Sequence, residues 1–150
     1  MTNYLAAIDL ADEESPENIL RTAVQMATGV EGARMFLMTV IPGVPAGLDV
    51  RYAVRGEMKG SADYPLQEWK DEATKRLGEI AAKHIPKEMR GGVVVRNGTV
   101  YREIVEAAKD LDIKQIIMGA HRPSLADFLL GPNSDRVARH ADCTVTVVRD

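Results

Sequence analysis

The sequence predicts one three-layer α/β/α domain, built on a five-stranded parallel sheet in the order 3-2-1-4-5. Short apolar runs rich in β-branched residues alternate strictly with segments whose apolar residues recur at helical spacing. The order is β-α-β-α-β-α-β-α-β. The chain has 150 residues, which suits a single domain over 1–150 with a core of its own.

The first three elements are a strand, a helix and a second strand. The first strand is the apolar run Tyr4 to Asp9, which ends in an acid. Ser15 is the predicted N-cap of the helix, with Pro16 in its first turn. Residues 33–41 are almost continuously apolar, which is typical of a strand buried on both faces.

A long polar and glycine-rich stretch follows, from Pro42 to about Asp63. A segment of this length without periodicity is often functional, and we expect it to be partly mobile and near the ligand crevice. Residues 64–85 then predict a helix, with Trp69 assigned to the core or an interface. The residues on its apolar side are Leu66, Trp69, Ala73, Leu77, Ile80 and Ala81.

The second half repeats the alternation. Residues 91–98 predict a strand, and Thr99 is the expected N-cap of a helix that runs to residue 111. Residues 113–118 predict the fourth strand. The fourth helix and fifth strand are expected over residues 133–141 and 144–149.

Composition excludes several classes of protein. The 22 acidic and 19 basic side chains give a formal charge of −3, which indicates no bulk attraction to nucleic acid or anionic membrane. Cys143 is the only cysteine, so no intrachain disulfide forms, and we interpret it as a packed side chain. The three histidines (His84, His121 and His140) lack metal-ligand spacing. The acidic N-terminus does not read as a signal peptide, and we expect a cytoplasmic protein.

The predicted strand order places a ligand crevice beyond the carboxyl ends of strands 1 and 4. Gly119 allows close backbone approach, and Gly131 precedes a helix whose free N–H groups favour an anion. Asn133, Ser134 and Arg122 could add donors or charge. The alternative is equally open at this stage: Gly119 is only a turn and Gly131 only a helix start.

Two polar residues beside this crevice have ordinary explanations as well. Asp9 could accept from an adenine amino group or a ribose hydroxyl, or it could simply solubilise or cap the turn. His121 next to Arg122 could be an acid–base pair, although a solvated loop histidine explains it better. No nucleophile–base set is marked in the sequence, so we expect no enzyme.

The last strand is an edge of the predicted sheet, and its apolar residues favour pairing with the same strand of a second copy. A proline at Thr146 is expected to disrupt that pairing if the N–H points outward. The residues of this expected homodimer contact are Thr144, Val145, Thr146, Val147 and Val148.

Four segments carry a resemblance to a known family. They are "LAAIDLAD", "LMTVI", "RNGTVYREIVEAAKDLDIKQIIMGAHR" and "LLGPNSDRVARHADCTVTVVR". Together they resemble the universal stress protein family, in the branch with an "HRP" loop, over essentially the whole chain. The resemblance implies the adenine nucleotide alpha-hydrolase-like, flavodoxin-like type of α/β fold.

The resemblance also implies a stress-response domain that dimerises through its last strand and binds ATP, ADP or AMP, with Mg²⁺ as a possible companion. It implies no substrate turnover, although weak ATP hydrolysis or autophosphorylation is left open. The nucleotide-binding residues it implies are Ala7, Ile8, Asp9, Thr39, Val40, Met118, Gly119, His121, Arg122, Gly131, Pro132, Asn133 and Ser134.

The chain departs twice from the family motif of glycine, two residues, glycine, nine residues, glycine and then serine or threonine. The middle glycine is absent from "GAHRPSLADFLLG", and Pro132 replaces the hydroxyl residue. Proline supplies neither a hydroxyl nor an N–H, so two phosphate donors are lost. A family member that acts by protein association alone therefore stays open as an alternative.

An adenylating enzyme of the related ATP-pyrophosphatase type is a third alternative. Such enzymes need a glycine- and serine-rich loop directly after strand 1, where this chain has the acidic "DLADEESP". Asp12, Glu13 and Glu14 are candidates to hold magnesium there, and a solvated loop is the simpler explanation. Catalysis ranks last.

Overall fold

The computed structural model describes residues 1–10, 15–42, 66–120 and 132–149. These residues form five strands, four α-helices and one short 3-10 helix. In chain order they are β1 (Thr2–Ala7), α1 (Ser15–Ala27), β2 (Ala33–Pro42), α2 (Leu66–His84), the 3-10 helix (Lys87–Met89), β3 (Arg90–Gly98), α3 (Val100–Asp110), β4 (Ile113–Gly119), α4 (Pro132–His140) and β5 (Thr144–Val148).

The five strands form one parallel sheet in the order β3-β2-β1-β4-β5. This confirms the predicted fold class and strand order. β1 lies between β2 and β4, and the strand order reverses there. The carboxyl ends of β1 and β4 are therefore the place where a ligand crevice is expected.

Two apolar clusters cover the two faces of the sheet. Side chains alternate along each strand, so Ala6 packs with α1 and α2 while Leu5 packs with α3 and α4. Leu37 and Met38 are consecutive residues of β2, and both are fully buried, one on each face. The continuous apolar run of β2 is thus explained by helices on both sides.

The start of α3 depends on a glycine. Gly98 has φ +152°, and a Cβ there would lie 2.7 Å from the Glu103 Oε2. Thr99 is the N-cap residue, as predicted, and its carbonyl accepts from the Glu103 N–H at 2.9 Å. Its side chain makes no capping hydrogen bond. The helix therefore begins with a backbone hydrogen bond to the Thr99 carbonyl, and the Thr99 hydroxyl does not cap it.

Two sequence expectations need correction. β1 begins and ends two residues earlier than predicted, because Thr2 and Asn3 pair with β2 although they are polar, and pairing stops at Ala7. Trp69 is 44% exposed, so it is not a core residue of this chain. It lies at the start of α2, before the buried stripe of that helix begins at Ala73.

Some expectations fall outside the described residues. They concern most of the glycine-rich stretch from Pro42 to Asp63, the acidic residues 12–14 and the loop 121–131. Within the described residues, no helix is long and apolar enough to cross a membrane.

Candidate functional site

The carboxyl ends of β1 and β4 lie side by side. Ala7, the last residue of β1, pairs with Met118 of β4. The chain then leaves β1 through Ile8 and Asp9, and it leaves β4 through Gly119. Five of the predicted site residues therefore meet at one edge of the sheet.

β2 extends past the end of β1 and hydrogen-bonds to Ile8, the first residue after β1. The Ile8 N–H donates to the carbonyl of Met38 at 2.8 Å, and the Thr39 Oγ1 donates to the carbonyl of Ile8 at 2.8 Å. Both backbone groups of Ile8 are thus satisfied by β2. Thr39 is buried, since only 6% of it is exposed.

The sequence places Thr39 and Val40 at the carboxyl exit of the second strand, and the structure corrects this position. They are not the exit of their own strand, because β2 runs on to Pro42 and pairs them with Val95 and Arg96 of β3. They lie beside the exit of β1 instead. The Val40 side chain packs on the α3 and α4 face.

Asp9 is exposed, two residues beyond the last residue of β1. The carbonyl of Leu10, the next residue, accepts from the Arg76 Nη2 on α2 at 3.2 Å. Asp9 therefore sits between two anchored residues, Ile8 and Leu10. Asp9 is therefore an exposed residue at the carboxyl edge of the sheet, where the crevice is expected.

Ser134 of α4 holds the exit of β4. Its Oγ lies 2.8 Å from the carbonyl oxygen of Gly119 and 2.7 Å from that of Ala120. Only 2% of Ser134 is exposed. Because its hydroxyl has one proton and faces these carbonyls, the side chain is directed to the chain itself. The sequence suggests the Ser134 side chain as a phosphate donor, and the structure corrects this because the hydroxyl faces backbone carbonyls. The donor that Ser134 retains at the helix start is its backbone N–H.

The first turn of α4 begins at Pro132, one residue before the predicted start at Asn133. First-turn N–H groups have no acceptor within their own helix. Pro132 has no N–H, so Asn133 and Ser134 supply the remaining first-turn donors. Asn133 is exposed. The helix start retains a reduced set of anion donors.

Thr39 and Ser134 are the buried polar side chains of the described part of the chain. Both lie at this edge, and each hydroxyl donates to a carbonyl where the chain leaves a strand. Sequence reasoning missed these roles. A hydroxyl inside the apolar run "ARMFLMTVI" is the only signal that could have drawn attention to Thr39.

The remaining predicted site residues are His121, Arg122 and Gly131, and they lie outside the described residues. Within the ranges that the structure describes, no three His, Cys, Asp or Glu side chains come together as a metal site. His84 and His140 are the last residues of α2 and α4.

Cys143 lies in the short link between α4 and β5. Its side chain is half-buried and contacts the apolar cluster under α3 and α4. Burial raises the pKa of the Cys143 thiol, and the neighbouring Asp142 carboxylate raises it further. The thiol is therefore not activated as a nucleophile.

Comparisons with known proteins agree with this architecture. The sequence model described as the universal stress protein family matches residues 1–149. Universal stress protein G of Shigella flexneri is 36% identical over 78 residues, which is 52% of this chain and 55% of that protein. That alignment thus spans only about half the length of the curated relative.

Solved structures share the fold over nearly the whole chain. Universal stress protein UspA from Lactobacillus plantarum superposes with a TM-score of 0.68 at 22% identity, covering 99% of this chain and 97% of that one. The universal stress protein from Archaeoglobus fulgidus in complex with dAMP has a TM-score of 0.56 at 17% identity, covering 98% and 97%.

Proposed function

Because the chain belongs to the universal stress protein family, we propose that it is a small cytoplasmic stress-response protein that binds an adenine nucleotide between β1 and β4. In this proposal it reports a cellular state and does not turn over a substrate. One observation carries the proposal. Where the chain leaves β1 and β4, the buried hydroxyls of Thr39 and Ser134 hydrogen-bond to its backbone carbonyls. Both contacts lie where the strand order reverses.

The adenosine end of the proposed site lies at β1 and β2. The Asp9 carboxylate, exposed on the rim, is an acceptor for the adenine amino group or a ribose hydroxyl. Backbone groups near Val40 are within the same corner of the sheet. Thr39 serves this end indirectly, because its hydroxyl is directed to Ile8 and holds the loop that carries Asp9.

The phosphate end lies at the start of α4. The Asn133 and Ser134 N–H groups and the positive end of the helix dipole favour one anionic group. Pro132 removes a further N–H and the hydroxyl found in the family motif. We therefore propose that phosphates beyond the first add little, so that AMP and ATP bind about equally well.

The relatives support an adenine nucleotide as the ligand class. The Archaeoglobus fulgidus protein of the same fold was solved with dAMP, a nucleoside monophosphate. A monophosphate fits the reduced donor set at α4. Mg²⁺ belongs to the proposal only as a companion of bound triphosphate, through Asp12, Glu13 or Glu14.

Calorimetric titration of the purified full chain with AMP, ATP and CMP tests the proposal. We expect AMP and ATP to bind with affinities within about tenfold of each other, and CMP to bind weakly. Asp9→Ala should weaken AMP binding by roughly tenfold, since a hydrogen bond to a charged acceptor is lost. Asp71→Ala, which removes an exposed carboxylate from α2, is the matched control. A tight ATP site that strongly rejects AMP would contradict the proposed phosphate end.

Pro132 also favours a second candidate function, a family member that associates with protein and binds no nucleotide. β5 supports association in either case. It pairs with β4 on one side, and its other edge has no partner strand in the described sheet. We propose a homodimer in which two copies of β5 meet about a twofold axis, which satisfies both exposed edges. Absence of AMP binding together with a stable dimer would select this candidate.

A further inference from the structure

Three cations on or beside α3 and α4 are paired with carboxylates. The Arg96 Nη2 lies 2.8 Å from the Asp110 Oδ2, the Arg139 Nε lies 3.2 Å from the Asp135 Oδ1, and the Lys109 Nζ lies 3.8 Å from the Asp142 Oδ2. The positive charge of these three side chains is thereby neutralised locally.

Arg102 and Arg136 differ from these cations. The Arg136 guanidinium carbon lies 5.3 Å from the ring centroid of Tyr101, and that of Arg102 lies 6.0 Å from it. The His140 ring lies on the same tyrosine, with centroids 5.5 Å apart. Within the described residues, neither guanidinium lies within 4.0 Å of a carboxylate or donates a hydrogen bond to another group.

Stacking on an aromatic ring positions a guanidinium without using its N–H groups. Each arginine carries five donors in a planar fork that matches a carboxylate. Arg102, Arg136 and His140 are all exposed, and Tyr101 is half-buried between the two helices. Both guanidiniums therefore lie near the ring on exposed residues, where their donors can reach a ligand.

A cavity begins about one turn further along α3 than this cluster, and we call the cluster and the cavity together the Tyr101 groove. Val105 lies one turn beyond Tyr101, and it lines a cavity of about 650 Å³ with Ala108, Ile113 and Cys143 as further apolar walls. Lys109 and Lys114 stand at the same cavity, and so do Asp112 and Asp142, so the charges on its walls balance. An apolar side chain of a ligand would fit there while its acidic groups meet the arginines.

We propose that this Tyr101 groove binds a short acidic peptide segment of a partner protein, with an apolar residue beside the acidic ones. Charge complementarity is the argument for an acidic occupant. A long polyanion such as nucleic acid fits less well, because the whole chain carries a net charge of −3 and the positive area is confined to one ring. None of the groove's residues is among the proposed nucleotide-binding residues.

Fluorescence anisotropy with a labelled short peptide of glutamates and one leucine tests this inference on the full chain. The double variant Arg102→Gln/Arg136→Gln should bind the peptide roughly fivefold to tenfold more weakly, as expected for two partly exposed charge pairs. Arg139→Gln, in the same helix and paired with Asp135, is the matched control and should change affinity by less than about twofold. Glu106→Gln should strengthen binding, since it removes an acidic group one turn from Arg102.

Two further measurements distinguish specific binding of the peptide by the arginine side chains from nonspecific attraction to positive charge. Arg136→Lys keeps the positive charge but lacks the planar fork. It should therefore bind the peptide more weakly than the wild type and more tightly than the double variant. Amide shifts in an NMR titration should move at Tyr101, Val105 and Arg136 on adding the peptide. Equal binding by the double variant and the wild type would overturn the proposal. So would shifts confined to other elements, or tighter binding of a single-stranded oligonucleotide of equal length. Circular dichroism of each variant verifies that it remains folded.

Discussion

The hydroxyl of Ser134 lies 2.7 Å from the carbonyl oxygen of Ala120, a residue 14 positions earlier in the chain. It lies 2.8 Å from the carbonyl oxygen of Gly119 as well. Ala120 in turn donates its N–H to the Val148 carbonyl at 3.0 Å. The first turn of α4, the exit of β4 and the end of β5 are therefore joined at one corner of the crevice.

Ser134→Ala should lower the free energy of unfolding by about 1–3 kcal/mol, because buried carbonyls lose a donor. It should also weaken AMP binding, since the start of α4 is no longer held against β4. Chemical denaturation and calorimetry measure the two effects. Thr74→Ala removes an exposed hydroxyl that bonds within α2, and it should change stability by less than about 0.5 kcal/mol. Equal effects of the two substitutions would show that the contact at β4 adds nothing.

Pro132→Ser should raise the affinity for ATP more than that for AMP, because it restores an N–H and a hydroxyl at the first turn of α4. An increase of roughly tenfold is expected for the recovered charge-assisted bonds. Calorimetric titration with both nucleotides is the measurement. If neither affinity changes, the phosphates do not lie at this helix start.

Thr39→Val keeps the side-chain shape but removes the hydrogen bond to the Ile8 carbonyl. We expect a loss of about 1–3 kcal/mol in unfolding free energy and a weaker AMP complex, because the loop carrying Asp9 is released. Hydrogen exchange at residues 8–10 should speed up. Thr39→Ser retains the donor and should restore protection, and faster exchange in that variant too would contradict the assigned role.

Val147, and not Thr146, is the position at which a proline tests the β5 dimer. The Val148 carbonyl faces β4, and backbone groups alternate sides along a strand, so those of Thr146 face β4 while those of Val147 face the open edge. Val147→Pro should therefore abolish the dimer and leave a folded monomer, because an outward donor is lost at an edge. Sedimentation velocity measures this, with Val147→Ala as the control for lost packing. A wild-type monomer at high concentration would rule out this interface.

Cys143 should react slowly with iodoacetamide at neutral pH. Burial and then the Asp142 carboxylate raise the pKa of its thiol, so the reactive thiolate is scarce until the pH rises past that pKa. Asp142→Asn should lower the pKa and speed alkylation at a given pH. The pH dependence of the alkylation rate gives the midpoint directly. A midpoint that does not move on this substitution would contradict the electrostatic cause.

The sequence determined the order and type of the elements, because apolar spacing is a local property that each segment carries by itself. The run at β2, apolar on both faces, and the helical spacing in α3 were enough to predict a parallel sheet between helix layers. The position of β5 at an edge followed from the same strand order. Boundaries were less certain, as the early start of β1 at Thr2 shows.

The tertiary structure alone decided where the polar side chains of the site point. Ser134 looked like a phosphate donor in sequence, yet packing turns its hydroxyl onto β4. Thr39 reaches the Ile8 carbonyl because β2 extends past the end of β1. That extension depends on the register of two strands that are separated in sequence by α1. The stacking of Arg136 on Tyr101 depends likewise on how α3 and α4 pack. These relationships join residues that only the folded chain brings together, so no local pattern could predict them.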